Sequence, residues 1–438
     1  MLSRVPPPRQ NDKQPFVKYR MTSTAADILI WTITAVATAG VLIRPFKWPE
    51  AIWAILGAVL LMALGLLPMS DGLRAIGKGL DVYLFLIGMM LLSEVARQEG
   101  LFDWIAAFAV KHADRSPGRL FLLIYGVGVV VTAFLSNDAA AVVLTPAVFA
   151  AAKKARAEPL PYLFICAFIA NAASFVLPIS NPANLVLYGD RTPALGHWLA
   201  SFALPSLLSI LATYAALRWS QRAALRDECD ANVEQARLSA GGWTALAGLV
   251  LTAAVLLIVS AANIQLGIPT CVMGVLTTGV VLVRKRASPL PVLKHVSWAV
   301  LPLVAGLFVM VEALNRSGLT RALADVLRVG VSWSDSGAAA ISGLVLAIVS
   351  NLMNNLPAGL VASTTIAQAH APQKVVDALL IGVDLGPNLS ITGSLATILW
   401  LTAIRREGED VGFFKFLKVG LMVMPPALVL AIGARLLV

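Results

Sequence analysis

The chain has 438 residues, of which 58% are hydrophobic and only 13% are charged, and its formal net charge is +10. Soluble domains carry about 25% charged residues, so this composition excludes an ordinary soluble domain. The basic residues lie in short segments between long, continuous apolar runs, which is the pattern of cytoplasmic loops in a helical membrane protein. The positive charge therefore indicates membrane topology rather than binding of nucleic acid.

In chain order, a basic N-terminal tail at residues 1–22 precedes the first apolar run. A helical span needs about 20 apolar residues, and eight runs of roughly this length are uninterrupted. They lie at about 24–43, 50–67, 80–98, 197–218, 241–262, 266–283, 296–315 and 412–434. The first run is too long for the core of a signal peptide, so we expect it to be retained as a span.

Four further apolar stretches are interrupted by Asn, Pro, Gly and Ser. They are 120–152, broken at "SND", 160–188, broken at "PISNPANL", 337–369, broken at "NLMNNLPAG", and 375–404, broken at "DLGPNLSITGS". A break at Asn followed by a break at Pro and Asn thus occurs twice, and 218 residues separate Asn137 from Asn355. Interrupted helices in repeated order are typical of secondary carriers, which bind their solutes at such breaks.

The two halves are expected to be inverted repeats, because each contains an odd number of full crossings. In each half, a re-entrant helical hairpin and a discontinuous transmembrane helix follow the plain spans. We therefore predict an all-α polytopic membrane protein. Its divisions are the tail at 1–22, a first repeat at 23–218, a cytoplasmic connecting loop at 219–240 and a second repeat at 241–438. Placing the basic loops in the cytoplasm leaves the basic N-terminal tail on the outside of the membrane, which the positive-inside rule disfavours. The side of the membrane on which the N-terminus lies therefore stays open.

Polar residues at the breaks are the candidate substrate-binding residues. Backbone released from a helix at membrane depth must be satisfied by protein or by a water-filled cavity. Asn, Ser, Thr and Gly suit such points, because they cap helix ends, tolerate unusual backbone angles and offer short donors and acceptors. A purely capping role is the alternative for any single break, and the repeated order favours a joint site. The candidates are Ser136, Asn137, Asn181, Asn184, Asn354, Asn355, Asn388, Thr392, Gly393 and Ser394.

Two carboxylates at the breaks have no match in the other half. Overlaying the hairpin tips sets Asp138 opposite a leucine, and overlaying "PANL" on "GPNL" sets Asn184 opposite Asn388 and Asp384 opposite Ser180. A carboxylate at mid-membrane costs several kcal/mol unless it is paired, hydrated or protonated. We therefore predict that Asp138 carries protons or binds a cation, with Asp384 as a second candidate for proton coupling.

Several functional classes lack their motifs in this sequence. There is no G-x-x-x-x-G-K-[ST] phosphate loop, no H-E-x-x-H pair and no cysteine spacing typical of a zinc site or a disulfide framework. We expect no enzyme activity, no metal site and no cofactor. The interrupted segments also contain no Lys or Arg, although a multiply charged anion often benefits from a cationic clamp. This favours a small neutral, hydroxyl-rich solute or a cation.

Three stretches carry a family likeness: "FLSNDAAAVVLTP", "NNLPAGLV" and "DLGPNLSITGSLATILWL". They resemble the signature stretches of the arsenite/antimonite efflux permeases of the ArsB family, within the larger ion-transporter superfamily. The likeness runs from about residue 100 to residue 430. Two departures are Pro182, where the enterobacterial type has an aliphatic residue, and Asn388, where that type often has lysine.

The resemblance implies a scaffold domain and a transport domain that export trivalent arsenic or antimony in exchange for protons. It also implies a bacterial inner membrane, and for some members a soluble arsenical ATPase as partner. A sodium- or proton-coupled carrier for a carboxylate or another small anion is the alternative within transport. An intramembrane enzyme or receptor has little support, since no nucleophile–base pair or metal cluster is visible in the sequence.

Overall fold

The computed structural model describes residues 24–226, 229 and 237–438. The basic tail expected at 1–22 and nine of the 22 residues of the expected connecting loop, 227–228 and 230–236, lie outside these residues. All regular secondary structure in the described part of the chain is helical. The first half contains α1 Thr24–Ile43, α2 Glu50–Ala63, α3 Met69–Lys78, α4 Leu80–Gln98, α5 Leu101–Lys111, α6 Pro117–Phe134, α7 Thr145–Lys154, α8 Pro159–Ala172, α9 Pro182–Tyr188 and α10 Leu195–Ser220.

The second half repeats this order of helices. It contains α11 Ala240–Ala261, α12 Gly267–Lys285, α13 Leu290–His295, α14 Val300–Arg316, α15 Leu319–Trp333, α16 Asp335–Met353, α17 Asn355–Ala369, α18 Gln373–Leu385, α19 Leu395–Arg406 and α20 Phe413–Leu437. The eight predicted plain spans correspond to α1, α2, α4, α10, α11, α12, α14 and α20, with end differences of a few residues.

Matching helix starts show the repeat at residue level. Ser116 caps the N-terminus of α6 and Ser334 caps α16, each accepting a hydrogen bond from a backbone N–H three residues later. Gly100 and Gly318 precede the amphipathic helices α5 and α15, and both have positive φ, of 72° and 84°. Each pair is separated by the same 218 residues as Asn137 and Asn355, so the first part of each repeat keeps a constant register.

Contacts between distant helix ends define two opposite faces of the molecule. On one face, which we call the basic face, Lys285 Nζ lies 2.7 Å from Glu99 Oε1 and Lys153 Nζ lies 3.8 Å from Glu409 Oε1. On the opposite face, Lys78 Nζ lies 2.9 Å from Glu312 Oε2. Glu99 directly follows α4 on the basic face, whereas Glu312 lies near the end of the equivalent helix α14 on the opposite face, so the second half is inverted relative to the first.

The described residues include seven helices long and apolar enough to cross a membrane, or up to nine if each of two bent pairs is one span. α2 and α8 are shorter apolar helices. α8 is nevertheless buried at all fourteen of its positions, because it lies at the centre of the transport domain. The prediction of a polytopic all-α protein with two inverted repeats is confirmed.

Two groups of helices form the scaffold and transport domains. In the scaffold, α4 packs along α12, and α2 packs along α14 in the equivalent arrangement of the other repeat. The transport domain contains the two hairpins, α6–α7 and α16–α17, and the broken helices, α8–α9 and α18–α19, with α10 packed along α20. The breaks of both repeats therefore lie within one packed domain.

Candidate functional site

The tips of the two hairpins have the same unusual backbone. Ser136 has a φ of 134° and Asn354 a φ of 73°, and the two residues are equivalent in the repeat. A positive φ costs a non-glycine residue of the order of 1–3 kcal/mol and persists where the surroundings enforce it. Asn354 also caps α17, because its side chain accepts a hydrogen bond from the backbone N–H of Leu356 at 3.3 Å. Ser136 and Asn354 thus shape the tips.

The residue after each strained position is an asparagine with an unused side chain. Asn137 and Asn355 are both 3% exposed. The Asn137 Oδ1 atom is buried without a hydrogen-bond partner. The backbone N–H of Asn355 donates to the Gly393 carbonyl at 2.9 Å, while its side-chain amide takes part in no described hydrogen bond. Since buried amides normally have partners, these two are available to a ligand.

Asp138 occupies the place where the two hairpins differ. It precedes a π-helical segment, Ala139–Leu144, and its side chain makes no capping hydrogen bond. The equivalent position in the second hairpin lies in an ordinary α-helix, α17. π-helical turns widen a helix and are frequent at functional sites. The partly exposed carboxyl group of Asp138 lines a cavity of about 90 Å³ between the hairpin and the scaffold.

The second predicted carboxylate is fully buried and has one partner. Asn181 Nδ2 donates to Asp384 Oδ1 at 2.8 Å, and the Asn181 Oδ1 atom caps α9 by accepting from the backbone N–H of Ala183 at 3.0 Å. The other Asp384 oxygen, Oδ2, has no hydrogen-bond partner. The structure thus brings two predicted site residues from opposite repeats into direct contact.

Asn184 is used mainly by the backbone of the first broken helix. Its Nδ2 donates to the carbonyl oxygens of Ser174, Leu177 and Pro178 at 2.9, 3.2 and 3.3 Å. Those carbonyls belong to the break between α8 and α9, so the amide stabilises the interrupted backbone. Only Asn184 Oδ1 remains buried without a partner.

Asn388 contacts Asn171 and not Asn184. Its Nδ2 donates to the Phe168 carbonyl at 3.0 Å, and its Oδ1 accepts from Asn171 Nδ2 at 3.0 Å. All three residues are completely buried. The amide of Asn388 therefore joins the second break to α8 and has no free group for a solute.

The overlay of "PANL" on "GPNL" is wrong, because the helix caps set a different register. Asn181 caps α9 and Ser394 caps α19, and with these caps aligned Asp384 is equivalent to Asn171. The contacts agree with this pairing. Asn181 donates to Asp384, and the Ser394 hydroxyl donates to Asn171 Oδ1 at 3.3 Å. Asp384 is thus an acidic residue at a position where the other repeat has the isosteric amide.

Thr392 and Gly393 hold the second hairpin against its broken helix. The Thr392 hydroxyl donates to the Asn351 carbonyl at 3.1 Å, and Ser390 donates to Asn351 Oδ1 at 2.8 Å. A Cβ atom on Gly393 would lie 2.4 Å from Pro387 Cα and 2.7 Å from Asn351 Oδ1. Only glycine fits there, so Gly393 has a packing role and offers its carbonyl to Asn355.

Sequence reasoning missed Asn171, Asn351 and Thr397. Asn171 and Asp384 each lie in the last turn of a helix that ends at a break, and Asn351 lies one turn before the second hairpin tip. Thr397 accepts from Asn171 Nδ2 at 3.3 Å. A polar residue one turn before a break is the signal that could have identified the two asparagines.

Among the predicted site residues, the buried side-chain atoms without a hydrogen-bond partner are all acceptor oxygens. They are Asn137 Oδ1, Asn184 Oδ1 and Asp384 Oδ2. The Asp138 carboxyl group and the Asn355 side chain also make no described hydrogen bond. Among the described residues, no group of three His, Cys, Asp or Glu could hold a metal ion. Chemically, the site suits a small ligand that donates hydrogen bonds.

Inverted repeats with paired hairpins and broken helices, meeting in one domain, define a polytopic membrane transporter. The chain belongs to the citrate transporter family, CitMHS, whose model matches residues 29–386. It is 27% identical over 405 residues to an arsenical pump membrane protein of Escherichia coli, covering 87% of this chain and 92% of that protein. The arsenical pump membrane protein of Yersinia enterocolitica is 29% identical over 370 residues, with coverage of 80% and 84%.

Further similarities extend over nearly the whole chain. An uncharacterized transporter of Mycobacterium tuberculosis is 25% identical over 415 residues, which is 91% of this chain and 96% of that protein. The crystal structure of the YdaH transporter of Alcanivorax borkumensis, described as having an unusual topology, has a TM-score of 0.56 at 18% identity. The match covers 94% of this chain and 98% of the YdaH chain, and at this identity the likeness is evidence for the fold only. The resemblance to ArsB-type permeases is confirmed, and the chain is a transporter.

Proposed function

We propose that this protein exports trivalent arsenic as arsenite, and also antimonite, in exchange for protons. The observation that carries the proposal is the set of buried acceptor oxygens without partners, at breaks that contain no Lys or Arg. Arsenous acid is mostly an uncharged triol at neutral pH, so its three hydroxyl groups can donate to amide and carboxylate oxygens. The arsenical pump proteins similar to this chain support the same cargo.

Proton coupling is assigned to the two carboxylates. Asp138 faces a cavity, and Asp384 holds one unpartnered oxygen in a fully buried environment. A buried carboxylate without a cation is costly when it is ionised, so each can take up a proton in one state of the transport cycle and release it in another. Binding of a neutral triol in one state and of protons in the other is the exchange that we propose.

The basic face is assigned to the cytoplasm of a bacterial inner membrane. Four basic residues lie at helix ends on this face, namely Lys153, Arg218, Lys285 and Arg405. Short cytoplasmic loops carry an excess of basic residues. Export then begins at the basic face, and protons leave the protein there. A soluble arsenical ATPase, if present, would bind on this face, where the connecting loop lies.

A cation- or proton-coupled carrier for a carboxylate is the second candidate, and the family description favours it. A carboxylate substrate needs cationic or N–H donors. Arg435, a basic residue of the transport domain, has its Nε 2.7 Å from Asp377 Oδ2, and both residues are buried. The unpartnered acceptor oxygens of Asn137, Asn184 and Asp384 support the triol.

Arsenite accumulation in everted vesicles tests the proposal. A cell line that lacks its own arsenite exporter supplies the vesicles, and an imposed pH gradient, acid inside, drives uptake. We expect the parental chain to accumulate arsenite and Asp138→Asn to lose gradient-driven accumulation while remaining folded. Cys271→Ala, in the scaffold helix α12, is the control and should accumulate arsenite normally. Citrate uptake without arsenite uptake would favour the carboxylate carrier instead.

A further inference from the structure

The cavity at Asp138 has two titratable residues on its scaffold side to which no role has been assigned. Glu94 near the end of α4 and His295 at the end of α13 line it, opposite the carboxyl group of Asp138. The hydroxyl groups of Ser93, Ser136 and Ser297 complete its polar lining. The cavity has a volume of about 90 Å³ and carries these polar groups in a largely apolar wall, and this volume exceeds the roughly 10–15 Å³ that one water molecule needs. A chain of water molecules can therefore join the two sides.

The histidine has a defined tautomer when it is neutral. His295 Nδ1 lies 2.7 Å from the carbonyl oxygen of Pro291. A carbonyl oxygen only accepts, so Nδ1 carries the hydrogen and Nε2 is left as the basic nitrogen. The side chain of His295 is 60% exposed, and it lies on the basic face. Its ring thus contacts both the cavity and the water at this face.

Charged groups near His295 are mostly engaged with each other. On α4, Glu94 accepts from Arg97 Nε at 2.8 Å, from Arg97 Nη2 at 2.6 Å and from Gln98 Nε2 at 2.6 Å. Glu94 Oε1 is also 4.0 Å from His295 Nδ1. On α12, Lys285 pairs with Glu99. The other charged residues on these elements are Asp81 on α4, Arg284 on α12, Lys294 on α13 and, on the hairpin, Arg119, Asp138, Lys153 and Lys154.

We propose that His295 is the proton-exit residue of the transporter, which rests on the proton coupling proposed above. The protonated Asp138 carboxyl group gives its proton to cavity water, and water gives a proton to His295 Nε2. The resulting imidazolium, stabilised by the neighbouring Glu94 carboxylate, then releases a proton to water at the basic face. Histidine suits this step because its imidazole ring can accept a proton on one nitrogen and then release one to water, which is the role of a proton shuttle.

The test compares His295→Gln with His112→Gln in everted vesicles. His112 is a matched control, since its Nδ1 makes the same type of bond, at 2.8 Å to the Phe108 carbonyl, and it does not line the cavity. We expect His295→Gln to slow arsenite-dependent proton release by on the order of tenfold or more at low buffer concentration. Arsenite binding should be unchanged, and imidazole added to the bath should restore the rate. His112→Gln should behave as the parental chain does.

The outcomes separate this proposal from the proposed function. A parental chain that couples arsenite to protons, with normal proton release in His295→Gln and His295→Asn, overturns the role of His295 alone. A slow variant that imidazole does not restore also overturns it, because a structural defect is not repaired by a proton carrier. A parental chain that moves arsenite without protons overturns the coupling itself.

Discussion

At the residue scale, the side-chain amides near the breaks divide into two groups by what they bind. Asn388 and the Nδ2 of Asn184 are hydrogen-bonded to backbone carbonyls of the broken helices. Asn137 and Asn355 at the hairpin tips have unused side chains. A buried polar group without a partner costs about 1–3 kcal/mol, and a ligand that supplies the partner recovers this free energy.

The first prediction follows from this division. Asn137→Ala and Asn355→Ala should each weaken arsenite binding by roughly 1–3 kcal/mol and leave the melting temperature nearly unchanged. Asn388→Ala should instead lower the melting temperature, because the Phe168 carbonyl loses its donor. Binding isotherms and thermal unfolding of the purified variants measure the two effects. Equal losses of stability in all three variants would indicate that the amides of Asn137 and Asn355 only stabilise the hairpin tips and do not bind substrate.

The second prediction concerns the equivalent positions Asp384 and Asn171. Asp384→Asn should preserve the fold and raise the melting temperature, since it removes a buried charge that has one oxygen unpartnered. It should also abolish proton-coupled transport. Asn171→Ala is the contrasting variant. It removes the partner of Asn388, Thr397 and Ser394 together and should lower the melting temperature. Normal proton-driven uptake by Asp384→Asn would exclude Asp384 from coupling.

At the element scale, glycine contacts set the spacing of the scaffold helices. A Cβ atom on Gly274 of α12 would lie 2.5 Å from the carbonyl oxygen and 2.7 Å from the Cα of Gly88 on α4. Small residues let helix backbones approach closely in a membrane. The cavity at Asp138 is bounded by α4, so the position of this helix also sets the distance between scaffold and hairpin.

The third prediction compares two glycines of α12. Gly274→Ala should force α4 and α12 apart and destabilise the protein by about 1–3 kcal/mol. Gly279→Ala on the same helix meets nothing within 4 Å and should be neutral or stabilising by roughly 0.5–1 kcal/mol, since alanine favours helix. Melting temperatures in detergent distinguish them. The same melting temperature for both variants would contradict the close packing.

At the scale of the whole molecule, the three cysteines lie in separate parts of the chain. Cys166 is buried in α8 of the transport domain, Cys229 lies in the connecting loop and Cys271 is half-buried in α12 of the scaffold. None lies at a helix break. A thiolate site for arsenic(III) needs cysteines that converge on the substrate, and such bonds would also release the cargo slowly.

The fourth prediction is that a chain with all three cysteines changed to Ser or Ala still confers arsenite resistance. Hydrogen bonds from amides and carboxylates can form and break in every cycle as one domain moves against the other. Survival of an exporter-deficient strain on arsenite, at matched expression, measures the effect. A folded cysteine-free protein that gives no resistance would indicate thiolate coordination.

Much of the fold could be predicted from the sequence, because a membrane span is recognised from about 20 consecutive residues. The order of spans, the four breaks and the repeat at 218 residues all rest on such local patterns. The overlay of "PANL" on "GPNL" predicts the wrong register for the second breaks, because it rests on a likeness of only four letters. The helix caps at Asn181 and Ser394 set the true register, and they depend on backbone conformation that the letters do not show.

By itself, the sequence determined the class of the protein, its inverted halves and the polar residues at its breaks, since hydropathy and parity are properties of the linear chain. Only the tertiary structure decided which of those residues are engaged. Asn181 meets Asp384 across 203 positions, and Asn388 meets Asn171 across 217. The structure alone also placed Glu94 and His295 opposite Asp138. Whether a polar side chain is engaged depends on which partner the packing of the chain brings within about 3 Å of it. In these two pairs, the partner comes from the other half of the chain.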